Sequence, residues 1–189
     1  NTIKNCSVTL SNSNSASNGI YIGNHVVLNT TGLTVNNISG TSSNNKFYNN
    51  SLQNCYGGYS FNGYASAVPY DFYDQNNIIG VDGVSTRRSQ VVKFGGAAVQ
   101  ANGIFATNQN GLKIHSTYIN NSLAPASTGV MYGVTLTGGT NSNLDVYRDT
   151  VTLGLNSVTG SQLTGISCAM GGNGAGNAVN IYSNVVTGC

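Results

Sequence analysis

Residues 177–189 read N-A-V-N-I-Y-S-N-V-V-T-G-C. Apolar residues alternate with polar ones up to a short corner, Ser183-Asn184, and resume beyond it. Two short strands with inward apolar side chains, joined by a polar bend, give that pattern. Degraded copies occur at 46–55 (K-F-Y-N-N-S-L-Q-N-C), 112–121 (L-K-I-H-S-T-Y-I-N-N) and 143–154 (N-L-D-V-Y-R-D-T-V-T-L-G). The chain also opens in mid-phrase, N-T-I-K-N-C at 1–6. A strand, a corner and a second strand, repeated, predict a coil of β-structure.

With the corner as ruler, corners are expected at Asn1, Asn50, near Gln90, and at Ser116, Asp149 and Asn184. Two positions past each stands an apolar residue: Ile3, Leu52, Val92, Tyr118, Val151 and Val186. The next residue is polar or charged, Ile119 excepted, which is the period-two alternation of a half-buried strand. A third strand signal follows in each unit, headed by Gly19, Gly58, Gly103, Gly133 and Gly165. The units differ in length, and the difference sits in loops at 11–18, 35–45 and, longest of all, 64–89. A strand is expected within that last loop at 77–81. Both prolines, Pro69 and Pro125, fall in loops, where a missing N–H costs no ladder bond.

Composition agrees with an all-β chain. Only 6% of the 189 residues are charged, and glutamate is absent. Asn, Ser, Thr and Gly favour bends, while Val, Ile, Thr and Tyr favour strands. Three strands per unit with no helix between them predict stacked parallel strands: an all-β parallel β-helix of about five turns with irregular loop insertions. The whole of 1–189 is expected to be a single β-helix segment, an internal piece of a longer protein. A β-sandwich built on the Asn-Gly pairs is the alternative.

The net charge of +2 comes from scattered basic residues, of which only Arg87 and Arg88 are adjacent. That is no footprint for nucleic acid. No apolar run approaches the length of a membrane span. The neutral, hydroxyl- and amide-rich surface favours secretion.

The phrases N-N-K-F-Y-N-N-S-L-Q-N-C-Y-G-G-Y and N-I-Y-S-N-V-V-T-G-C resemble the right-handed parallel β-helix segments of very large secreted surface proteins of Bacteroidetes. The resemblance covers nearly the whole chain. It implies an extracellular or cell-surface location and export by the type IX route. It also implies an adhesin-like or pectate-lyase-like description, without fixing a reaction. Asp149-Thr150-Val151 is similar to an O-glycosylation site of those bacteria.

Four groups of residues are candidates for chemistry. Cys6, Cys55 and Cys189 stand five positions past expected corners, so Cys6 and Cys55 are expected on neighbouring rungs, within disulfide reach or as a ladder of buried thiols. A carbohydrate-active site would need paired carboxylates or an acid–base set. The 64–89 loop supplies Asp71, Asp74, Arg87 and Arg88, against the plainer reading of turn hydrogen bonds and solvated arginines. The aromatics Tyr64, Tyr70, Phe72 and Tyr73, within a larger group that includes Tyr56, Tyr59 and Phe61, are candidates to stack on sugars. Their alternative role is to fold the loop down as a satellite core. His25 and His115 are solitary, and no metal site or cofactor is expected. The expected role is structural or adhesive, binding glycans or surfaces through loops, with secretion components and further repeats as partners. A polysaccharide lyase or glycoside hydrolase is the alternative, and ice binding on a threonine array ranks last.

Overall fold

The computed structural model describes residues 1–26, 32–83, 87–96, 100–122, 129–154, 162–172 and 176–188. The chain runs through β1 (Thr2–Lys4), β2 (Ser7–Thr9) and β3 (Asn18–Gly23), then β4 (Lys46–Tyr48), β5 (Ser51–Gln53) and β6 (Gly57–Asn62). The short β7 (Asp74–Gln75) leads into β8 (Ile78–Gly80), β9 (Gln90–Val92) and β10 (Gln100–Thr107). The equally short β11 (Gln109–Asn110) leads into β12 (Leu112–His115), β13 (Tyr118–Asn120) and β14 (Val130–Thr137). Then come β15 (Leu144–Tyr147), β16 (Thr150–Thr152), β17 (Leu163–Cys168), β18 (Val179–Tyr182) and β19 (Val185–Thr187). Between β3 and β4 the described residues include a 3-10 turn, Ile38–Gly40, capped by the Asn37 side chain, which accepts from Ser39 N.

With the short β7 and β11 set aside, every third strand joins the same sheet. Sheet A runs β1-β4-β8-β12-β15-β18, sheet B runs β2-β5-β9-β13-β16-β19, and sheet C runs β3-β6-β10-β14-β17. A two-stranded sheet, β7-β11, leads into sheet A. The strand pairs are parallel throughout these sheets. All-β structure with stacked parallel strands in this order fits a β-helical solenoid. A "rung" below is one passage through sheets A, B and C. The strand expected at 77–81 is β8.

The inward columns follow from alternation and register. Sheet A contributes Phe47, Ile79, Ile114 and Val146; sheet B contributes Leu52, Val91, Ile119 and Val151. Sheet C adds Tyr59, Phe61, Ile104, Ala106, Val134 and Leu136. Burying each large side chain contributes about 1.5–3 kcal/mol. Parallel stacking places like residues over like, so one column forms a continuous core. Phe47, Tyr59 and Phe61 meet inside the second rung, with ring centroids 5.1–6.2 Å apart.

The glycines that head the third strand have a packing reason. Each faces the inward residue of sheet B on the next rung: Gly19 faces Leu52, Gly58 faces Val91, Gly103 faces Ile119, Gly133 faces Val151 and Gly165 faces Val186. A Cβ on Gly103 would lie 2.5 Å from Ile119 Cγ2 and 2.7 Å from Gly133 O. Any side chain there would expel either the sheet B residue or the neighbouring strand.

The A-to-B corner differs in part from its expected place. The left-handed residues are Asn5, Asn49, Ser116, Arg148 and Ser183, with φ of 54–59°. The residues after these five, Cys6, Asn50, Thr117, Asp149 and Asn184, form one corner column, in which Ser89 takes the third place without a left-handed residue before it. Asn50, Asp149 and Asn184 were expected there. Asn1 is a correction: it lies at the entry to sheet A, where its Nδ2 donates to Asn45 Oδ1 at 3.2 Å. The third corner is Ser89, one residue before Gln90, and the inward sheet B residues are Val91 and Ile119 instead of Val92 and Tyr118. Residues hydrogen-bonded along this column are 44, 32 and 35 positions apart, so loop length varies while register holds.

Candidate functional site: an aromatic cleft on the first rungs

The expected acids and arginines of the long loop have different surroundings among the described residues. Asp74 lies in β7 and is fully buried, its Oδ1 accepting from Ser42 N at 2.8 Å and its Oδ2 from Gln109 Nε2 at 3.3 Å. Burial raises its pKa, and these hydrogen bonds oppose the rise. It ties the entry of one rung to the next: Gln109 also accepts from Asn77 Nδ2 at 2.8 Å, and Asn77 Oδ1 accepts from Asn45 N at 2.9 Å. Asp71 is exposed, and its carbonyl accepts from Gln75 Nε2 at 3.0 Å. Arg87 and Arg88 sit before sheet B, away from the sheet A entry that Asp74 occupies. Arg88 Nη1 donates to Thr150 Oγ1 at 3.2 Å. Thr150, in the Asp-Thr-Val triplet, is half-buried beneath that contact. Among the described residues, no group of three His, Cys, Asp or Glu side chains is placed to hold a metal ion.

The aromatic residues separate into distinct roles. Tyr59 and Phe61 belong to the core, and Tyr73 is buried. Tyr70 stacks on Tyr73 with centroids 5.6 Å apart and planes at 29°, which folds the loop onto itself. Phe72 is half-buried, and the Tyr56 hydroxyl bonds Gln100. Tyr64, one of the four expected ligand residues, lines an open cleft.

That cleft, of about 340 Å³, is shared by Tyr21, Asn24, His25, Asn62 and Tyr64. A larger one of about 540 Å³ adjoins it through the same Tyr21 and His25. Its apolar wall is Ile3, Ile20, Ile22 and Phe47, and its polar wall includes Thr41, Ser42, Ser43 and Asn45. Tyr21 and His25 have ring centroids 5.5 Å apart at 55°, and His25 Nδ1 lies 2.9 Å from Val26 O. β3 positions the pair through simple alternation: Ile20 and Ile22 turn inward, which sends Tyr21 out. Neutral hydroxyl and amide groups beside an open tyrosine face suit sugar hydroxyls and the apolar face of a sugar ring. Tyr21 was legible as an outward aromatic within G-I-Y-I. Its partnership with His25 and Tyr64 depends on loops from two rungs meeting.

The cysteines do not form the expected pair. Cys6 occupies the inward corner opposite Asn50, whose Oδ1 accepts its N–H at 3.0 Å, whereas Cys55 follows β5. Both are free thiols, Cys6 exposed and Cys55 buried, and Cys168 is free as well. The expectation failed because it counted from Asn1, which is not a corner. Cys189 lies outside the described residues, as does Pro125.

Among the described residues, no helix is long and apolar enough to cross a membrane. Comparison of the chain with family models, curated proteins and solved structures yields no match.

Proposed function

We propose that this chain is a right-handed parallel β-helix segment of an extracellular bacterial surface protein, and that it serves as a structural and adhesive module which holds neutral glycans in the cleft around Tyr21, His25 and Tyr64. The observation that carries this reading is the cleft in which Tyr21, His25 and Tyr64 stand beside the amides of Asn24 and Asn62, adjoining a larger one with an apolar wall. The stacked parallel strands supply a rigid support, and the inserted loops supply the variable walls. The low charge of the chain suits a surface exposed outside the cell.

A glycan array followed by calorimetry on the best neutral oligosaccharide tests it. Tyr21→Ala and Tyr64→Ala are each expected to weaken binding about tenfold, the loss of one stacked ring. Absence of any bound neutral glycan, or binding untouched by both substitutions, defeats the reading.

A further inference from the structure

Sheet A exposes an outer face that the cleft does not use. One outward column along it reads Lys4, Tyr48, Gly80, His115, Tyr147 and Tyr182. His115 stacks on Tyr147 with centroids 5.2 Å apart and planes at 11°, and Tyr147 stacks on Tyr182 at 5.1 Å and 3°. Gly80 makes room at the other end: a Cβ there would lie 2.6 Å from His115 Cε1 and Nε2, so the imidazole lies over it. The rings therefore form a ladder with the spacing of the strands themselves.

The second outward column carries Lys46 and Lys113, and exposed Arg148 stands at the corner where the face ends. With Lys4, that places four of the chain's seven Lys and Arg residues on this face. Against them stands Asp145, 4.0 Å from Lys113 Nζ and holding Asn180 Nδ2 at 2.9 Å. Asp82 lies at the margin, close enough to Tyr48 to help raise its pKa. Lys113 and Arg148 both lower the pKa of His115, after the larger effect of burial, so the imidazole stays neutral among them. Tyr147 is shifted up, by burial first, and keeps its phenolic proton. Four cations against Asp145 and the marginal Asp82 leave this face with a net positive charge equal to the +2 of the whole chain.

We infer that the outer face of sheet A binds an acidic polysaccharide, laid along the ladder with its anionic groups on Lys4, Lys46, Lys113 and Arg148 and its hydroxyls against the tyrosine and histidine edges. Anionic groups on a polymer meet ammonium and guanidinium groups in charge-assisted bonds. The stacked rings offer a row of donor and acceptor edges to hydroxyls. His115, Tyr147 and Tyr182 close their facing sides against one another, which leaves little open ring face for nucleobases, which bind single strands by stacking on open rings. That favours a sugar polymer over a nucleic acid. The inference is independent of the neutral-glycan cleft, which has its own residues and its own test.

The experiment measures binding of alginate, neutral dextran and poly-dT to the intact chain at about 50 mM and about 300 mM salt, where screening of exposed charge differs strongly. Alginate is expected to bind at low salt, to weaken at least tenfold at high salt, and to exceed both dextran and poly-dT. The triple variant Lys46→Gln/Lys113→Gln/Arg148→Gln is expected to lose at least tenfold for alginate while keeping its circular dichroism and any neutral-glycan binding. Tyr147→Phe, which keeps the stack and removes one hydroxyl, is expected to lose several-fold without altering the salt dependence. Poly-dT binding as tight as alginate, no alginate binding at low salt, or a triple variant that binds like the parent would each overturn it.

Discussion

Asp149 stands one rung beyond Thr117 and takes two of its hydrogen bonds on a single oxygen: Thr117 N donates to Oδ1 at 2.7 Å and Thr117 Oγ1 at 2.9 Å. The other oxygen, Oδ2, is buried with no partner among the described residues. At the same corner, Asn184 Oδ1 accepts Asp149 N at 2.9 Å while its Nδ2 donates to Val146 O at 3.0 Å. Asn50 repeats the pattern with Cys6 N and Ile3 O, both at 3.0 Å. Asp149 thus puts an acid where Asn50 and Asn184 put an amide, and Oδ2 takes the place of the amide donor.

Stability is therefore expected to depend on the protonation of Asp149. Burial pushes its pKa up from 3.8 to about 6, against the pull of the Thr117 hydrogen bonds and Arg88. The folded chain binds the proton more tightly than the unfolded one, so stability falls as pH rises between those values and levels off above. A shift of about two units corresponds to roughly 2–3 kcal/mol. Asp149→Asn should remove most of that slope and stabilise the chain by about 2 kcal/mol near pH 7.5. Asp74, also raised by burial, leaves a residual slope. Urea midpoints near pH 4.5 and pH 7.5 measure this, and a variant no more stable than the parent at the higher pH refutes it.

The glycine column makes a graded prediction. A Cβ on Gly133 would meet both Val151 Cγ1 and the backbone oxygen of Gly165. On Gly165 it would meet only the side chain of Val186, which is 43% exposed and able to move. Gly133→Ala is expected to cost about 3 kcal/mol or more, and Gly165→Ala under about 1 kcal/mol. Equal thermal shifts for the two variants would contradict this account of the column.

Asp74 is expected to matter for stability and not for catalysis. Asp74→Ala leaves Ser42 N and Gln109 Nε2 without their buried acceptor and should cost roughly 2–3 kcal/mol. Asn77→Leu should cost as much, because Asn45 N and Gln109 Oε1 both lose a partner. Asp74→Asn, which keeps one acceptor, should stay folded and bind glycans like the parent. A parent that releases sugar from polysaccharides, with activity lost in Asp71→Asn or Asp74→Asn, would restore a catalytic role.

Thiol chemistry distinguishes the cysteines. Burial pushes the Cys55 pKa up to about 11, so it has neither thiolate nor access at neutral pH. Cys6 is exposed. Alkylation of the native chain, read by peptide mapping, should mark Cys6 within minutes and Cys55 only after unfolding. Rapid marking of Cys55, or a Cys6–Cys55 disulfide peptide, would contradict the positions described.

The set of columns was legible in the order of residues alone. Alternation in short strands and a glycine before each third strand are local properties, set by side-chain period and by the absence of a Cβ, and they were readable from one phrase. Where the ruler slipped, the cause was local as well. Asn1 and Asn5 are equally plausible corners in N-T-I-K-N-C, and only pairing of Thr2 with Lys46 and Ser7 with Ser51 selects Asn5. That single choice separates Cys6 from Cys55. The tertiary structure alone decided the rest. Whether Asp74 is a solvent-facing acid or a buried tie depends on Gln109, on the next rung. Whether Tyr21 meets His25 and Tyr64 depends on loops of different rungs. The ring ladder needs three strands in register to bring His115, Tyr147 and Tyr182 within stacking distance. Stacking turns positions more than thirty residues apart into neighbours a strand spacing away, and no pattern within one unit specifies which residues of the next unit they will face.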